Sequence, residues 1–201
     1  MNDSFLDRAY ADRDSAGTIS LYDEWSATYE AEVAANGYAT PARCAEALAQ
    51  FTDDMDAPIL DFGCGTGLSG LAFRLAGFTM IDGIDVSAQM LAKAKEKGVY
   101  RNLTQVRPDD DLPTGYATIC AVGAIGAGAA PISALDKIMY ALPQNGKFVF
   151  SFNDHALADT ANTGRLNEWL DCGAARLLFC EYGDHLPGMD MKSNVYVVEK
   201  A

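Results

Sequence analysis

The nine residues Ile59 to Gly67, Ile-Leu-Asp-Phe-Gly-Cys-Gly-Thr-Gly, constrain the fold more than any other part of the chain. A short apolar run typical of a buried strand leads directly into glycines at three alternate positions, and an amphipathic segment follows at residues 68–75. Glycine permits a sharp turn and a close approach of the backbone to a ligand, while the amino end of a helix offers unpaired N–H groups. This strand, glycine loop and helix predict a site for a nucleotide-like ligand.

Short apolar runs and amphipathic segments alternate through the remainder of the chain. The expected strands are residues 59–62, 79–84, 100–106, 117–122, 146–152, 176–181 and 194–199. The expected helices are residues 68–75, 87–97 and 132–142, and a segment that includes 165–170. Strict alternation until the last two strands predicts an α/β fold with a doubly wound, seven-stranded, mostly parallel sheet whose last strand is antiparallel.

The residues before the first strand form a helical region. Apolar residues recur there at three- and four-residue steps and predict one continuous helix from Thr18 to the stop at Asn36-Gly37: Leu21, Tyr22, Trp25, Tyr29 and Val33. Thr40 and Pro41 resemble an N-cap followed by proline at the first helical position, which predicts a second helix to about Phe51. We expect residues 1–17 to be a mobile arm and residues 18–201 to be a single domain.

The acidic charge of the chain argues against a nucleic-acid partner. With 28 acidic and 15 basic residues the formal net charge is −13, whereas proteins that bind phosphate backbones present clustered lysine and arginine. The same charge disfavours an anionic membrane surface. Residues 113–135 carry no charge, but their glycines and small side chains fit a buried strand and a glycine-rich loop better than a spanning helix. We expect neither nucleic acid nor membrane as a partner.

Cysteine and histidine usage argues against disulfides and metal. The five cysteines form no CxxC pair, and the chain has two histidines. A Cys/His zinc site lacks its spacing, and the amino-terminal residues are too polar for a signal peptide. We therefore expect reduced thiols in a cytoplasmic protein without a metal site.

Two interpretations of the glycine run remain open on the residues alone. Residues 65–70 satisfy GxGxxG, and Asp85 lies about 20 residues after Gly65, as in sites for dinucleotides such as NAD. That reading buries Asp61 inside a strand. The alternative places Asp61 at the strand end, facing the ligand.

The second interpretation gains support from a resemblance along most of the chain. Residues 61–67 resemble motif I of class I S-adenosylmethionine-dependent methyltransferases, in which an acid precedes GxGxG. Three further segments look like the second-strand acid with its following helix, the adenine loop and the turn into the fifth strand of that family, and they are residues 82–91, 109–113 and 142–150. Residues 22–30, 97–100 and 181–189 are similar to a subgroup named after the Williams–Beuren region. The resemblance implies a Rossmann-like methyltransferase fold with S-adenosyl-L-methionine as cofactor.

Cofactor-binding roles are carried over from this family residue by residue. Asp85 is expected at the ribose hydroxyls, although it could also be only a helix-capping acid. Asp61 is expected to hold the methionyl amino group, directly or through water. The other residues expected at the cofactor are Gly63, Cys64 through its backbone, Gly65, Gly67, Val86, Met90 on an adenine face, Asp109 or Asp110 at the adenine amino group, and Val122. Gly67 is also expected to allow tight helix packing, and Met90 could equally be core.

The aromatic stripe of Tyr22, Trp25 and Tyr29 fits either helix packing or a lid over the cofactor. The resemblance favours a helical lid over residues 18–53, in which an aromatic face could stabilise a sulfonium charge. The acidic face of the helix, which includes Asp23 and Glu30, is expected to stay in water.

No catalytic dyad stands out, which fits methyl transfer. Displacement at a sulfonium leaves a neutral thioether, so most of the rate can come from alignment of the reactants. A base is needed only if the acceptor must lose a proton, and His155 and His185 are the candidates by position. We expect an O, N or S nucleophile of a small-molecule acceptor. The alternatives are an NAD-dependent oxidoreductase and a non-catalytic protein that binds S-adenosylmethionine.

Overall fold

The computed structural model describes Phe5 and residues 15–126 and 128–201. Three helices precede the first strand within these residues, and they are α1 (Ser15–Trp25), α2 (Tyr29–Ala35) and α3 (Thr40–Ala49). The later helices are α4 (Leu68–Leu75), α5 (Ala88–Glu96), α6 (Ser133–Ala141), α7 (Asp154–Ala158) and α8 (Thr160–Asp171). The strands are β1 (Ile59–Phe62), β2 (Ile81–Asp85), β3 (Asn102–Gln105), β4 (Thr118–Ala121), β5 (Lys147–Asn153), β6 (Ala175–Leu186) and β7 (Met191–Lys200).

The strands form one seven-stranded sheet in the order β3-β2-β1-β4-β5-β7-β6. The first five strands are parallel, and β7 runs antiparallel to both of its neighbours, β5 and β6. The strand order reverses between β1 and β4, where parallel sheets of this kind open a crevice for a ligand at their carboxyl ends. The predicted α/β fold, with its one antiparallel strand near the end, is confirmed.

Helices cover both faces of the sheet and divide the core into two layers. Phe148, Phe150 and Phe152 of β5 are fully buried on the face covered by α6 and α8, whereas Val149 points into the layer beneath α3 and α4. This alternation follows from the two-residue period of a strand. It leaves the carboxyl-terminal edge of the sheet free for a site.

The helical region before β1 differs from the sequence prediction at one point. The expected continuous helix ends at Trp25 and restarts at Tyr29. The Ser26 hydroxyl donates to the carbonyl oxygen of Asp23 at 2.8 Å, and Thr28 donates to Glu32 at 2.7 Å. Serine and threonine compete with the helix in this way, so two short hydroxyl residues close together interrupt it.

Thr40 is not the predicted N-cap. It belongs to α3, which follows Ala39 without a side-chain cap. The Thr40 Oγ1 lies 2.7 Å from Nδ1 of His185 and 3.1 Å from Oγ of Ser193, because α3 packs on the β6–β7 hairpin. A long-range contact therefore takes the hydroxyl that a local cap would use.

Two further predictions concern the amino-terminal residues and a membrane-spanning helix. Of the mobile arm expected at residues 1–17, residues 15–17 belong to α1, while residues 1–4 and 6–14 lie outside the described residues. Within the described residues, no helix has both the length and the apolar character required to traverse a bilayer. The uncharged residues 113–135 contain β4 and the start of α6.

Candidate cofactor site

The glycine loop turns away from β1 at the carboxyl-terminal edge of the sheet. Gly63 and Gly65 have φ angles of 66° and 51°, in the region that favours glycine. A Cβ on Gly63 would lie 2.6 Å from the Cβ of Ala124, while a Cβ on Gly65 would meet nothing within 4 Å. The loop is thus packed against the segment after β4 at one glycine and open at the next.

A cavity of about 300 Å³ lies beside this loop. It is lined by ten of the residues predicted at the cofactor or in the lid, and these are Tyr22, Tyr29, Gly63, Gly65, Asp85, Val86, Met90, Asp109, Asp110 and Val122. Six other predicted site residues do not line it, and these are Trp25, Asp61, Cys64, Gly67, His155 and His185. The structure therefore brings most of the predicted set together around one space.

Asp85 links the end of β2 to the glycine loop. Its Oδ2 accepts the backbone N–H of Gly65 and its Oδ1 accepts that of Ser87, both at 2.8 Å. Burial raises the pKa of Asp85, and the backbone hydrogen bonds from Ser87 and Gly65 oppose that rise. Each carboxylate oxygen has a second lone pair, so this turn-forming acid can still accept a hydroxyl from the cavity.

The methyltransferase interpretation predicted that Asp61 faces the ligand from the strand end, but its side chain does not line the cavity. Its side chain is fully buried within β1, where Oδ2 accepts the hydroxyl of Ser69 at 2.6 Å and that of Tyr100 at 2.7 Å. Burial raises the pKa of Asp61 to about 6, even though the bonds from Ser69 and Tyr100 favour the charged form. These two hydroxyls make the burial tolerable, so burial of Asp61 does not decide between the two interpretations of the glycine run.

Two buried polar atoms at the loop have no hydrogen-bond partner in the described part of the chain, and these are Asp61 Oδ1 and Thr66 Oγ1. Two more such atoms lie on the preceding helices, Nε1 of Trp25 on α1 and Oε2 of Glu32 on α2. Native proteins leave few buried polar groups unpaired. The two atoms at the loop fit a polar ligand that reaches below it.

The adenine side of the predicted site is built by α5 and the acidic loop after β3. Met90 is 2% exposed and lies in the first turn of α5, which Ser87 caps by accepting the Met90 N–H. Asp110 accepts the N–H of Arg107 at 2.7 Å within its own turn. The exposed Asp109 side chain makes no such hydrogen bond within the described residues, so it is the better placed of the two acids to receive a ligand group.

The predicted lid contains both packing and cavity-lining residues. Trp25 is buried with Leu21 and Val33 against the β6–β7 hairpin, whereas Tyr22 and Tyr29 stand on either side of it and line the cavity. The two readings of the aromatic stripe therefore apply to different residues of it.

The acidic face of the lid is not wholly in water, which corrects a prediction. Asp23 accepts a hydrogen bond from the Ser87 hydroxyl, and Glu30 pairs with Lys97. Both contacts arise because α1 and α2 pack on α5. Glu24 is exposed, as expected.

The two candidate bases lie apart from the cavity walls. His185 is 4% exposed, and its ring meets that of Tyr38 edge-on at 5.2 Å. Burial lowers its pKa to about 4. His155 is exposed on α7. Among the described residues no cluster of histidine, cysteine and acidic side chains is arranged to hold a metal ion.

Tyr100 is the site residue that the sequence reasoning missed. It was expected in the third strand and in the segment 97–100 that resembles the subgroup, with no role at the site, yet its hydroxyl contacts Asp61. One available signal was the pair Gly67 and Gly70, three residues apart at the start of one helix, together with Gly83 in the neighbouring strand. Such glycines leave space for a large ring.

A comparison with protein families decides between the two interpretations of the glycine run. The model of a family described as a methyltransferase domain matches residues 37–187, about three quarters of the chain. The chain belongs to the class I S-adenosylmethionine-dependent methyltransferases.

Curated relatives of the chain carry related names. Methyltransferase-like protein 27 of Homo sapiens is 32% identical over 136 residues, which cover 65% of this chain and 56% of that protein. Ribosomal protein L11 methyltransferase of Aliivibrio salmonicida (strain LFI1238) is 31% identical over 108 residues, which cover 52% of this chain and 35% of that protein. The chain thus spans about half the length of the first relative and about a third of the length of the second.

Several solved structures share the fold of the chain, although their sequence identity to it is low. Magnesium protoporphyrin IX methyltransferase from Synechocystis PCC 6803, with bound SAM, has a TM-score of 0.59 at 14% identity, covering 98% of this chain and 90% of that one. The [4+2]-cyclase SpnF has a TM-score of 0.56 at 19% identity, covering 79% and 81%. At such identities the likeness concerns the fold alone, and a cyclase on this fold shows that fold does not fix the reaction.

Proposed function

We propose that the protein binds S-adenosyl-L-methionine in the cavity and transfers its methyl group to an O, N or S nucleophile of a small-molecule acceptor. The observation that carries the proposal is that two carboxylates flank the glycine loop: Asp85 lines the cavity, and the buried Oδ1 of Asp61 has no hydrogen-bond partner among the described residues. One carboxylate suits a ribose diol and the other a cationic amino group. A dinucleotide pyrophosphate would be repelled by two acids at this point.

The residues at hand fit the parts of this cofactor. Asp85 would accept the ribose hydroxyls, and Gly65 leaves the backbone open for close approach. Oδ1 of Asp61 would accept the amino group through a water, since Asp61 does not itself line the cavity. Met90 would cover an adenine face, and Asp109 would accept the adenine amino group.

The chain's part in the reaction is mainly to position the reactants and to exclude water. When bound, S-adenosylmethionine supplies a methyl group on a sulfonium sulfur. Tyr22 and Tyr29 line the cavity from the lid, where aromatic faces attract a cationic centre and keep water away. If the acceptor must lose a proton, His155 follows β5 at the same edge of the sheet and is the better candidate base, because His185 is buried against Thr40.

A small acceptor is favoured over a nucleic acid by charge. The cavity of about 300 Å³ is the space proposed for the cofactor, and the net charge of −13 disfavours a nucleic-acid acceptor. The ribosomal target in the name of the Aliivibrio relative belongs to a protein of which this chain matches 35%. A protein acceptor is therefore the second arm of the test below.

Isothermal titration with S-adenosylhomocysteine and with NAD tests the cofactor. We expect micromolar or tighter binding of S-adenosylhomocysteine and none of NAD. Binding of NAD alone would contradict the proposal. Formation of S-adenosylhomocysteine from S-adenosylmethionine is then measured with a library of small metabolites and, separately, with ribosomal proteins. Turnover only with proteins would refute the small-molecule acceptor, and binding without turnover on any acceptor would favour a non-catalytic role.

A further inference from the structure

Tyr100 occupies a slot that three glycines leave open. A Cβ on Gly67, Gly70 or Gly83 would lie 3.0, 2.3 or 2.9 Å from a carbon of the Tyr100 ring. Gly67 precedes α4, Gly70 lies in its first turn, and Gly83 lies in the middle of β2. The ring is held between a loop, a helix and a strand, so its hydroxyl has one fixed position.

The direction of the hydrogen bonds at this hydroxyl is determined. The N–H of Gly70 donates to the Tyr100 oxygen at 3.0 Å, so the phenolic proton is free to point at Oδ2 of Asp61, 2.7 Å away. Burial raises the pKa of Tyr100, which keeps that proton on the oxygen. The N-cap residue of α4, Gly67, provides no side-chain cap. The Tyr100 hydroxyl takes that place by accepting the N–H of Gly70, and it extends the positive potential of the helix amino end to the carboxylate.

The donors to Asp61 converge on one oxygen and leave the other open. Ser69 also donates to Oδ2, at 2.6 Å, while Oδ1 is buried with no partner among the described residues. We infer that Tyr100 is a positioning residue of the cofactor site, which holds the Asp61 carboxylate charged and oriented so that Oδ1 can accept from the cationic amino group of the cofactor. The inference rests on the proposed function.

Among the other titratable groups around Asp61, Asp85 lies across the glycine loop and opposes its charge. The thiols of Cys44, Cys64 and Cys120 belong to α3, the loop and β4, and burial raises the pKa of each, so they remain neutral. None of these groups is a cation. The hydroxyls of Ser69 and Tyr100 are therefore the groups that favour the anion, and loss of either must raise the Asp61 pKa above about 6.

The variant Tyr100→Phe tests this role, because it keeps the ring in its slot and removes only the hydroxyl. The dissociation constant of S-adenosylhomocysteine is measured by isothermal titration from pH 5.5 to 8.5. We expect the midpoint of the pH dependence to rise by about one unit. The affinity should then be about fivefold weaker than wild type at pH 6 and nearly equal at pH 8.5.

Tyr116→Phe is a matched control. The Tyr116 hydroxyl donates to Oδ2 of Asp82 at 2.7 Å, so the control removes the same kind of bond from another carboxylate, one that does not line the cavity. We expect its binding curve to follow wild type at every pH. A Tyr100→Phe curve that also follows wild type, or that weakens equally at every pH, would overturn the positioning role.

Failure of the proposed function gives a different result. If wild type does not bind S-adenosylhomocysteine, the proposed function fails, and the carboxyl ¹³C shift of Asp61 in the ligand-free protein still reports on Tyr100. Its titration midpoint should be higher in Tyr100→Phe than in wild type. Equal midpoints would overturn the inference whatever the ligand.

Discussion

Asp61 and Asp85 are two carboxylates on either side of one glycine loop, and they use their oxygens differently. Asp85 accepts one backbone N–H on each oxygen and so fixes the loop. Asp61 accepts two hydroxyls on a single oxygen and leaves the other unpartnered within the described residues. Asp85 therefore both fixes the loop and lines the cavity, whereas Asp61 is a buried carboxylate with one oxygen that can still accept a hydrogen bond.

Asp85→Asn should weaken binding of S-adenosylhomocysteine by about 2–3 kcal/mol, the scale for hydrogen bonds to a charged acceptor. The amide oxygen can still accept one of the two N–H groups that Asp85 binds, while the other N–H loses its acceptor, and we expect the domain to stay folded. Isothermal titration measures the affinity, and circular dichroism checks the fold. Asp184→Asn removes the same charge from an exposed position on β6 that does not line the cavity, and it should bind as wild type does. An unchanged affinity in Asp85→Asn would mean that another group holds the ribose.

Single residues were predictable from sequence where their partners are local. Asp85 follows from its spacing to the glycines, and Ser87 caps the helix that begins one residue later. Tyr100 was not predictable, because folding brings its hydroxyl to an acid 39 residues earlier in the chain. The same long-range contact explains why a charged side chain can be buried in β1, against expectation.

At the scale of elements, polar contacts attach the predicted lid to α5, which contributes to the wall of the cavity. Asp23 of α1 bonds the Ser87 cap of α5, and Glu30 of α2 pairs with Lys97 just after α5. Met90, in the first turn of α5, lines the cavity. Ligand occupancy and lid closure should therefore influence each other.

Hydrogen exchange over residues 18–37 tests the lid. We expect partial protection in the ligand-free protein and strong protection with S-adenosylhomocysteine, because lids come from the less stable parts of a fold. Lys97→Met should raise exchange in this segment without ligand. Lys93→Met is the control, since Lys93 pairs with Glu96 inside α5 and not with the lid. Equal, strong protection of residues 18–37 with and without ligand would identify the segment as fixed core.

Two helical glycines should respond oppositely to alanine. A Cβ on Gly70 of α4 would lie 2.3 Å from the Tyr100 ring, whereas a Cβ on Gly164 of α8 would meet nothing within 4 Å. Gly70→Ala should lower the free energy of unfolding by about 1–3 kcal/mol through overpacking. Gly164→Ala should raise it by about 0.5–1 kcal/mol through helix propensity. Urea unfolding measures both, and a stable Gly70→Ala would mean that the slot is not tight.

Elements were predictable where their pattern is strong and self-contained. The bounds of β1 and α4 agree with those expected from the apolar run and the amphipathic segment around the glycines. The break between α1 and α2 was missed because Ser26 and Thr28 act through side-chain hydrogen bonds that apolar spacing does not register. The last five residues of β6, 182–186, were missed because Gly183 and Asp184 have low strand propensity, which pairing with β7 overrides.

At the scale of the whole molecule, buried ionisable groups act on stability in opposite directions. The pKa of His185 is about 4 in the fold against an ordinary 6.5, so the unfolded chain binds the extra proton and stability falls as pH drops from 6.5 to 4. The pKa of Asp61 is about 6 against 3.8, so the folded chain binds the extra proton and stability falls as pH rises from 3.8 to 6. Between pH 4 and 6 the two effects offset each other.

His185→Gln should remove one of these opposing effects. Relative to wild type, the free energy of unfolding of the variant should rise as pH is lowered from 7 to 4.5, by up to about 3 kcal/mol for a shift of this size. Urea unfolding at the two pH values measures the difference. A pH-independent offset from wild type in His185→Gln would refute a depressed His185 pKa.

The position of β7 determines the order in which the sheet can be completed. β7 pairs with both β5 and β6, and β6 reaches the sheet only through it. A newly made chain can therefore pair β3, β2, β1, β4 and β5 first, while β6 must wait until β7 has been synthesised. Because β6 and β7 are joined by a short turn, they can form a hairpin quickly and then dock as a unit on β5. Until that docking, the outer edge of β5 is an exposed template for strand pairing, which makes it the edge most open to misassembly during synthesis.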